Sequence, residues 1–217
     1  MDAKKAIINR KSIRAFNKQI PSDEDLLDIV KIAQKSPSWI NSQPVRIFIA
    51  KGDKLDAMRK EHKSINENPD VHTRSDLKFT PIREWDIESQ NNMHNKRKAD
   101  LSMFGNKFDE LKQVQSDNLF DAPAVVYITL PNNYTEWSLY DAGAMSEALM
   151  IAAQDKGIDS MPAFEFVKYP DRLRDNLGVR NRSFVLGIGL GYRDENNPIN
   201  QIEGKRMSVN EVAKIIK

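Results

Sequence analysis

Asn9-Arg10-Lys11-Ser12-Ile13-Arg14-Ala15-Phe16 places three cations and a hydroxyl within five positions, close to the start of the chain. Arg10, Lys11 and Arg14 can converge on one dianionic group. Arginine offers a planar fork that grips phosphate oxygens in pairs, and lysine adds a compact point charge. One such cation about 4 Å from a phosphate charge is worth roughly 4 kcal/mol at an effective dielectric of about 20, before desolvation. The octet also reads as a solvated basic helix end, in a chain with 33 lysines and arginines. What surrounds it decides between the two.

Residues 2–9, with Ala6, Ile7 and Ile8, form a short helix candidate that delivers the octet. Beyond it, Pro21-Ser22-Asp23-Glu24-Asp25 predicts a helix start: Ser22 caps, Asp25 stands three positions on, and acids fill the first turn. Leu26, Leu27, Ile29, Val30, Ile32 and Ala33 supply its apolar stripe, and it ends at Gln34-Lys35. Ser36-Pro37-Ser38-Trp39-Ile40-Asn41-Ser42-Gln43-Pro44 follows, a polar loop held by prolines near both ends. The amides of Asn41 and Gln43 donate and accept at once, which suits a planar ligand with alternating carbonyls and ring nitrogens. An ordinary helix-to-strand connection has the same composition. Residues 45–50 read as a strand and 54–62 as a helix.

Residues 64–117 depart from this pattern. They are polar, charged and irregular, with Pro69, Pro81 and a scattered helical periodicity through Met93, Leu101, Phe104, Phe108 and Leu111. They read as an excursion that covers something. His62, His72 and His94 have no metal-ligand spacing and read as surface or packing residues. Residues 125–130 are a strongly β-prone, central strand. Residues 136–156 form the longest helix, made slim by Ala142, Gly143, Ala144 and Ala148, so that another backbone or subunit could approach it. Residues 160–165 read as strand or extended loop, 170–177 as a helix stopped at Gly178, and 183–191 as a buried strand. Gly187, Gly189 and Gly191 tempt a dinucleotide reading, but the spacing is G-x-G-x-G and no helix follows. Close packing is the better reading. In the tail, Lys205-Arg206 precede a capping box, Ser208 to Glu211, and the apolar Val212, Ala213, Ile215 and Ile216. These two cations could close the octet's anion site or simply be solvated.

Composition bounds the reading. A chain of 217 residues, 40% apolar, suggests one domain (1–217) with an excursion at about 64–117. The formal charge of +2 gives no bulk electrostatic case for nucleic acid or an anionic membrane, so an anion site must be local. Zero cysteines excludes disulfides, thiolate catalysis and Cys-ligated zinc, and fits a reducing compartment. With no signal-like start and no apolar run near 18 residues, a cytoplasmic protein away from membranes is expected.

The order of these pieces resembles the FMN-dependent nitroreductase family. Arg10-Lys11-Ser12-Ile13-Arg14-Ala15-Phe16 is similar to that family's R-R-S-x-R-x-F opening, and residues 36–44 to its A-P-S-x-x-N-x-Q-P loop. Asp141-Ala142-Gly143 leads to Ala152-Ala153 and Gly157. Gly189-Leu190-Gly191-Tyr192 with Pro198 and Asn200, then Arg206-Met207-Ser208-Val209-Asn210-Glu211-Val212, resembles its R-x-P-L-D-E-V ending. Lys11 stands where arginine is commoner, Met207-Ser208 replaces an apolar-Pro pair, and residues 157–160 are less glycine-rich than usual. Residues 64–117 match nothing in the pattern.

The resemblance implies an α+β sandwich, a mostly antiparallel sheet flanked by helices, in an intertwined homodimer with FMN at the interface. Carried over, Arg10, Ser12 and Arg14 would hold the phosphate and flavin edge with Lys11 beside them, and Arg206 with Lys205 would close the phosphate site. Ser38, Asn41 and Gln43 would approach the flavin from the partner chain, with Pro37 and Trp39 shaping that loop. Pro162, Ala163 and Phe164 would line the ring face. It also implies ping-pong chemistry: NADH or NADPH gives hydride to the flavin and leaves, and a nitroaromatic, quinone or similar electron-poor acceptor takes it up. No protein nucleophile is needed, in keeping with the absence of cysteine and of a Ser-His-Asp set; the flavin performs the redox step and the protein positions it. A flavin store or redox sensor without turnover, and a phosphate-ligand domain without flavin, are the rival readings.

Overall fold

The computed structural model describes residues 2–217. Its centre is β2 (Ala124–Pro131), buried along almost its whole length. A strand covered on both faces needs no polar alternation, which is why 125–130 is apolar throughout. Ala124, Val126, Ile128 and Leu130 face one core and Val125 and Tyr127 the other, the period of two that a pleated strand imposes.

Around β2 the sheet runs β1 (Arg46–Lys51), β2, β4 (Arg182–Gly191), β3 (Asp159–Ala163), antiparallel throughout. Register shifts at Ile128/Thr129 opposite β4. Helices α2 (Asp23–Ala33) and α6 (Glu136–Asp155) pack on one face through Leu26, Ile29, Leu149 and Ala153. On the other, α3 (Gly52–Asn66) and α7 (Pro170–Leu177) contribute Leu55, Met58 and Leu173. The expected α+β sandwich is therefore the one observed.

Local signals explain the boundaries. The Ser22 hydroxyl accepts the Asp25 N–H at 3.0 Å and donates to the Asp25 carboxylate at 2.7 Å, so the cap forms although its return bond uses the hydroxyl. α1 (Ala3–Asn9) is capped by Asp2. The glycines of β4 mark close approach: a Cβ on Gly187 would lie 2.2 Å from Phe166 Cβ, and one on Gly191 2.5 Å from Pro123 Cγ.

Two regions differ from the expectation. Much of the polar excursion is regular, with α4 (Ile87–Phe104) capped by Asp86 and α5 (Phe108–Asp117) after a break at Gly105, φ 60°. α4 buries Asp100 and otherwise runs largely exposed, so it lacks the apolar stripe that betrays a core helix. Phe108 anchors the pair against Ala15, Ile199 and Ile202. In the tail, the Ser208 capping box forms, but α8 (Val209–Val212) lasts one turn. Val212, Ile215 and Ile216 stay exposed, and a single turn with nothing to bury cannot propagate.

Candidate functional site

The octet lies along the free edge of β3. Ile13 donates its N–H to the Ser160 carbonyl at 3.0 Å, and Ser12 bridges Ser160 in parallel. Ile13 is fully buried, so the side chains on either side of it are turned outward from a fixed backbone. The chain's far end completes the brace. The Asn200 side-chain carbonyl accepts the N–H groups of Arg14 (2.7 Å) and Ala15 (3.1 Å), and its amide donates to the carbonyls of Ala15 (2.8 Å) and Asp194 (3.0 Å).

This brace opens a cavity of about 1280 Å³. Its wall brings together Arg10, Lys11, Ser12 and Arg14 with Lys205 and Arg206, all six expected there, and adds Lys96 from α4 and Arg193 from just beyond β4. Seven cations thus face two carboxylates, Glu147 and Glu203. In a near-neutral chain this concentrates positive charge locally, the condition an anion site requires. Arg193 is held in place by Asp159, whose carboxylate accepts from its Nε at 2.8 Å and its Nη2 at 2.5 Å and holds its pKa above the ordinary value. Arg14 donates to the Ser12 carbonyl at 3.1 Å; burial pushes its guanidinium down, against the pull of Asp100. Arg10 is the group left unsatisfied: its Nε is buried without a hydrogen-bond partner, with Glu147 Oε1 3.5 Å away. A buried donor without a partner is costly, and this one stands at the wall of the cationic cavity.

A second cavity, of about 330 Å³, shares Arg14 and Lys96 and reaches Met161 and Phe120 under α4 and α5. Leu119, Phe120 and Asp121 all have φ between 50° and 58°, a left-handed turn that places Phe120 in this wall. Three such residues in a row cost roughly 1–3 kcal/mol each.

The polar loop is elsewhere on this protomer. Trp39 donates its N–H to the buried Asp141 carboxylate of α6 at 3.1 Å, and its indole stacks on Trp137 with centroids 4.8 Å apart. Ser38 Oγ accepts the Gln43 N–H at 3.0 Å, and the Gln43 amide donates to Asn41 Oδ1 at 3.1 Å. Ile40, Asn41 and Gln43 are left-handed (φ 47°, 57°, 45°), a geometry that keeps the Ile40 side chain in solvent. Asp141 precedes Glu147 by six residues, about 9 Å along the helix. The loop, Pro37 included, therefore does not line the cationic cavity of its own chain. Pro162 and Ala163 end β3, and Phe164 lines a third cavity, of about 560 Å³, with residues 73–79.

Residue reading missed Lys96, Arg193 and the brace role of Asn200. Lys96 sits on a helix without an apolar stripe, so nothing marked its inward face. Arg193 carried a weak signal, the first cation after a glycine-rich buried strand. The buried Asp141, a lone carboxylate among alanines, was visible only as part of a pattern.

A model of the Nitroreductase family matches residues 7–192, and the chain belongs to that family. It is 27% identical to Nitroreductase NfnB of Mycolicibacterium smegmatis over 98% of this chain and 92% of that protein. It is 26% identical to the 4-nitrobenzoate reductase of Pseudomonas putida over 92% of this chain and 89% of that one. The crystal structure of the FMN-dependent nitroreductase NfnB from Mycobacterium smegmatis in complex with NADPH superposes with a TM-score of 0.89, at 24% identity, covering 99% of this chain and 98% of that one.

Proposed function

We propose that this chain is an FMN-dependent oxidoreductase that takes hydride from NADH or NADPH and reduces nitroaromatics, quinones or similar electron-poor acceptors. The observation that carries the reading is the seven-cation cavity with an unsatisfied Arg10 Nε at its wall. The residues present fit FMN: a phosphate dianion meets paired cations, and the buried donor gains an acceptor. When bound, FMN supplies a two-electron carrier at its ring. For a nitro acceptor, one hydride from the nicotinamide and one proton from solvent convert the nitro group to nitroso and release one water.

The chain's own residues bind and orient. Arg10, Lys11, Ser12, Lys205 and Arg206 hold the phosphate. Arg14, fixed by Asn200, faces the ring's polar edge, where a cation favours the reduced, anionic form. Pro162, Ala163 and Phe164 flank the ring, and no side chain acts as a nucleophile. Ser38, Asn41 and Gln43, with Pro37 and Trp39, serve the cavity of a second copy in a homodimer; their distance from their own chain's cavity supports this. We assign one domain spanning 1–217, with α4 and α5 as its access-shaping excursion, and the cytoplasm as the compartment, which the absence of cysteine favours. Among the described residues, no helix is long and apolar enough to cross a membrane.

The absorbance spectrum of the purified protein, followed by anaerobic titration with NADH and NADPH and then addition of an acceptor, tests the reading. A flavin band that bleaches and returns supports it. No flavin band overturns it, and bleaching that no acceptor reverses would leave a store or sensor.

A further inference from the structure

The cationic cavity and the smaller one under α4 and α5 meet at two side chains, Arg14 and Lys96. The larger carries the cations assigned to the cofactor. The smaller, about 330 Å³, has an apolar side made by Met93, Phe108, Phe120, Met161 and Ile199, a size and wall that suit one small aromatic ring. Met161 directly precedes Pro162 and Ala163, the residues proposed to flank the cofactor ring. A molecule in the smaller cavity therefore stands beside whatever occupies the larger.

Reduction by hydride also consumes one proton, and few groups here can release one. Among the described residues lining either cavity there is no histidine, tyrosine or cysteine. Glu147 and Glu203 line only the larger cavity, and Lys112 only the smaller. Arg14 lines both, but a guanidinium does not give up its proton in a protein. Lys96 is the other shared group, and an ammonium can. Its Nζ donates to Asp100 Oδ1 one turn along α4, which uses one of its three N–H bonds. The Asp100 side chain is 12% exposed and that of Lys96 33%, so the acid is held inside while the ammonium keeps contact with solvent. A pair serving only the helix would be exposed on both sides, with the acid preceding the base. Beside the pair α4 is fixed, because Arg97 forks onto Asp109 of α5 with two bonds of 2.8 Å.

Resting on the reductase reading, we infer that Lys96 is a catalytic residue, the proton donor to an acceptor bound in the cavity of Phe120 and Met161, with Asp100 as its positioning residue. For a nitro acceptor, hydride from the cofactor is taken up, one N–O bond breaks, and the departing oxygen leaves as water. That water carries the hydride's hydrogen and the proton from Lys96 Nζ, whose N–H electron pair stays on nitrogen. The cofactor is oxidised by two electrons and the nitro group is reduced to nitroso. Solvent then returns a proton to Nζ.

The test uses Lys96→Arg, which keeps the positive charge and cannot release a proton. The FMN-loaded enzyme, reduced anaerobically with NADPH, is mixed with nitrobenzene or with ferricyanide, which takes up electrons without a proton. Stopped-flow absorbance follows the return of the flavin band. The variant should be slower by about tenfold or more with nitrobenzene, from the loss of a general acid, and within about twofold of wild type with ferricyanide. Its FMN affinity, from fluorescence titration of the apoprotein, should stay within about threefold. As a second variant, Lys96→Ala should be slow with nitrobenzene and regain rate as methylammonium is added. Wild-type reoxidation by nitrobenzene in Lys96→Arg would show that charge alone suffices. Equal slowing with both acceptors, or a loss of FMN affinity of about tenfold, would place Lys96 with the cofactor. Each of these overturns the inference and leaves the reductase reading standing. A wild type that carries no flavin, or whose bleached flavin band neither acceptor restores, would overturn the reductase reading itself, and the inference with it.

Discussion

Asn200 accepts the backbone N–H of Arg14 at 2.7 Å across a separation of 186 residues. With its bonds to Ala15 and Asp194, this one side-chain amide ties the cationic octet to the segment that leads into Lys205 and Arg206. Both polar ends of the amide are used, so no other side chain of its size replaces it. Asn200→Leu should cost about 1–3 kcal/mol in stability from the stranded backbone groups, and should lower the FMN content of the purified protein. Asn200→Asp keeps the acceptor but loses both donor bonds, so it should fall between. Thermal unfolding and flavin-to-protein absorbance ratios measure the two effects. Unchanged flavin content in Asn200→Leu would separate the brace from the site.

Arg10 should matter for the cofactor more than for the fold. Its Nε has no hydrogen-bond partner, so Arg10→Ala removes a buried unsatisfied donor. Folding stability without FMN should therefore change by less than about 1 kcal/mol, since the lost packing and the removed penalty oppose each other. FMN affinity should fall at least tenfold, the size expected for one charge-assisted bond of about 1.5–3 kcal/mol. Fluorescence titration of the apoprotein with FMN reads the affinity, and denaturant unfolding reads the stability. A large stability loss with unchanged affinity would make Arg10 structural. Arg14→Ala should likewise weaken FMN retention.

These two residues show what could be read from the chain alone. Arg10 and Arg14 were legible because charges crowded into five positions have few structural uses. The sheet was legible because 125–130 and 183–191 are buried on both faces and carry their hydrophobicity in unbroken runs. Lys96 was not, because α4 buries little and its inward face is defined by tertiary packing rather than by periodicity. Nor was the brief α8, whose capping box is correct locally but whose apolar residues find no surface on the same protomer. The placement of the 36–44 loop follows from Asp141 and Trp137, both about 100 residues away, and no local pattern encodes such a contact.

Gly187→Ala should be among the most damaging single-methyl substitutions. The added Cβ would meet the Cβ of Phe166 at 2.2 Å. A Cβ cannot swing aside as a side-chain tip can, so either β4 or the 164–167 turn must move. Overpacking of this kind costs about 1–3 kcal/mol or more. The turn carries Phe164, so acceptor KM should rise along with the loss in melting temperature. A variant with wild-type melting temperature would show that the turn has slack.

Gly143 lies on the exposed side of α6, and a Cβ there meets nothing within 4 Å. Trp137 and Tyr140 are exposed nearby on the same helix. Gly143→Leu should therefore leave the protomer folded. If this slim helix is where the second copy approaches, the same change should shift the assembly toward monomer and lower FMN retention, since each cavity then lacks the partner's loop. Sedimentation velocity on wild type and variant decides it. A dimer unaffected by Gly143→Leu would move the interface off this face of α6.

Glu165 sets the acid limit of the turn that holds Phe164. Burial alone would push its carboxyl up, but hydrogen bonds from His62 (3.0 Å) and Asn66 (3.0 Å) and the charge of Lys168 outweigh it and hold the pKa at about 2, against 4.5 ordinarily. A carboxyl depressed in the folded state stabilises it fully above its unfolded pKa. That contribution is lost as pH falls from about 4.5 through about 2. The difference corresponds to about 3 kcal/mol. Glu165→Gln should therefore be less stable than wild type at pH 7, and the gap should close on acidification through that window. Denaturant unfolding of both proteins between pH 7 and the lowest pH at which wild type still folds measures it. A gap that stays constant with pH would assign the cost to lost packing rather than to the charge.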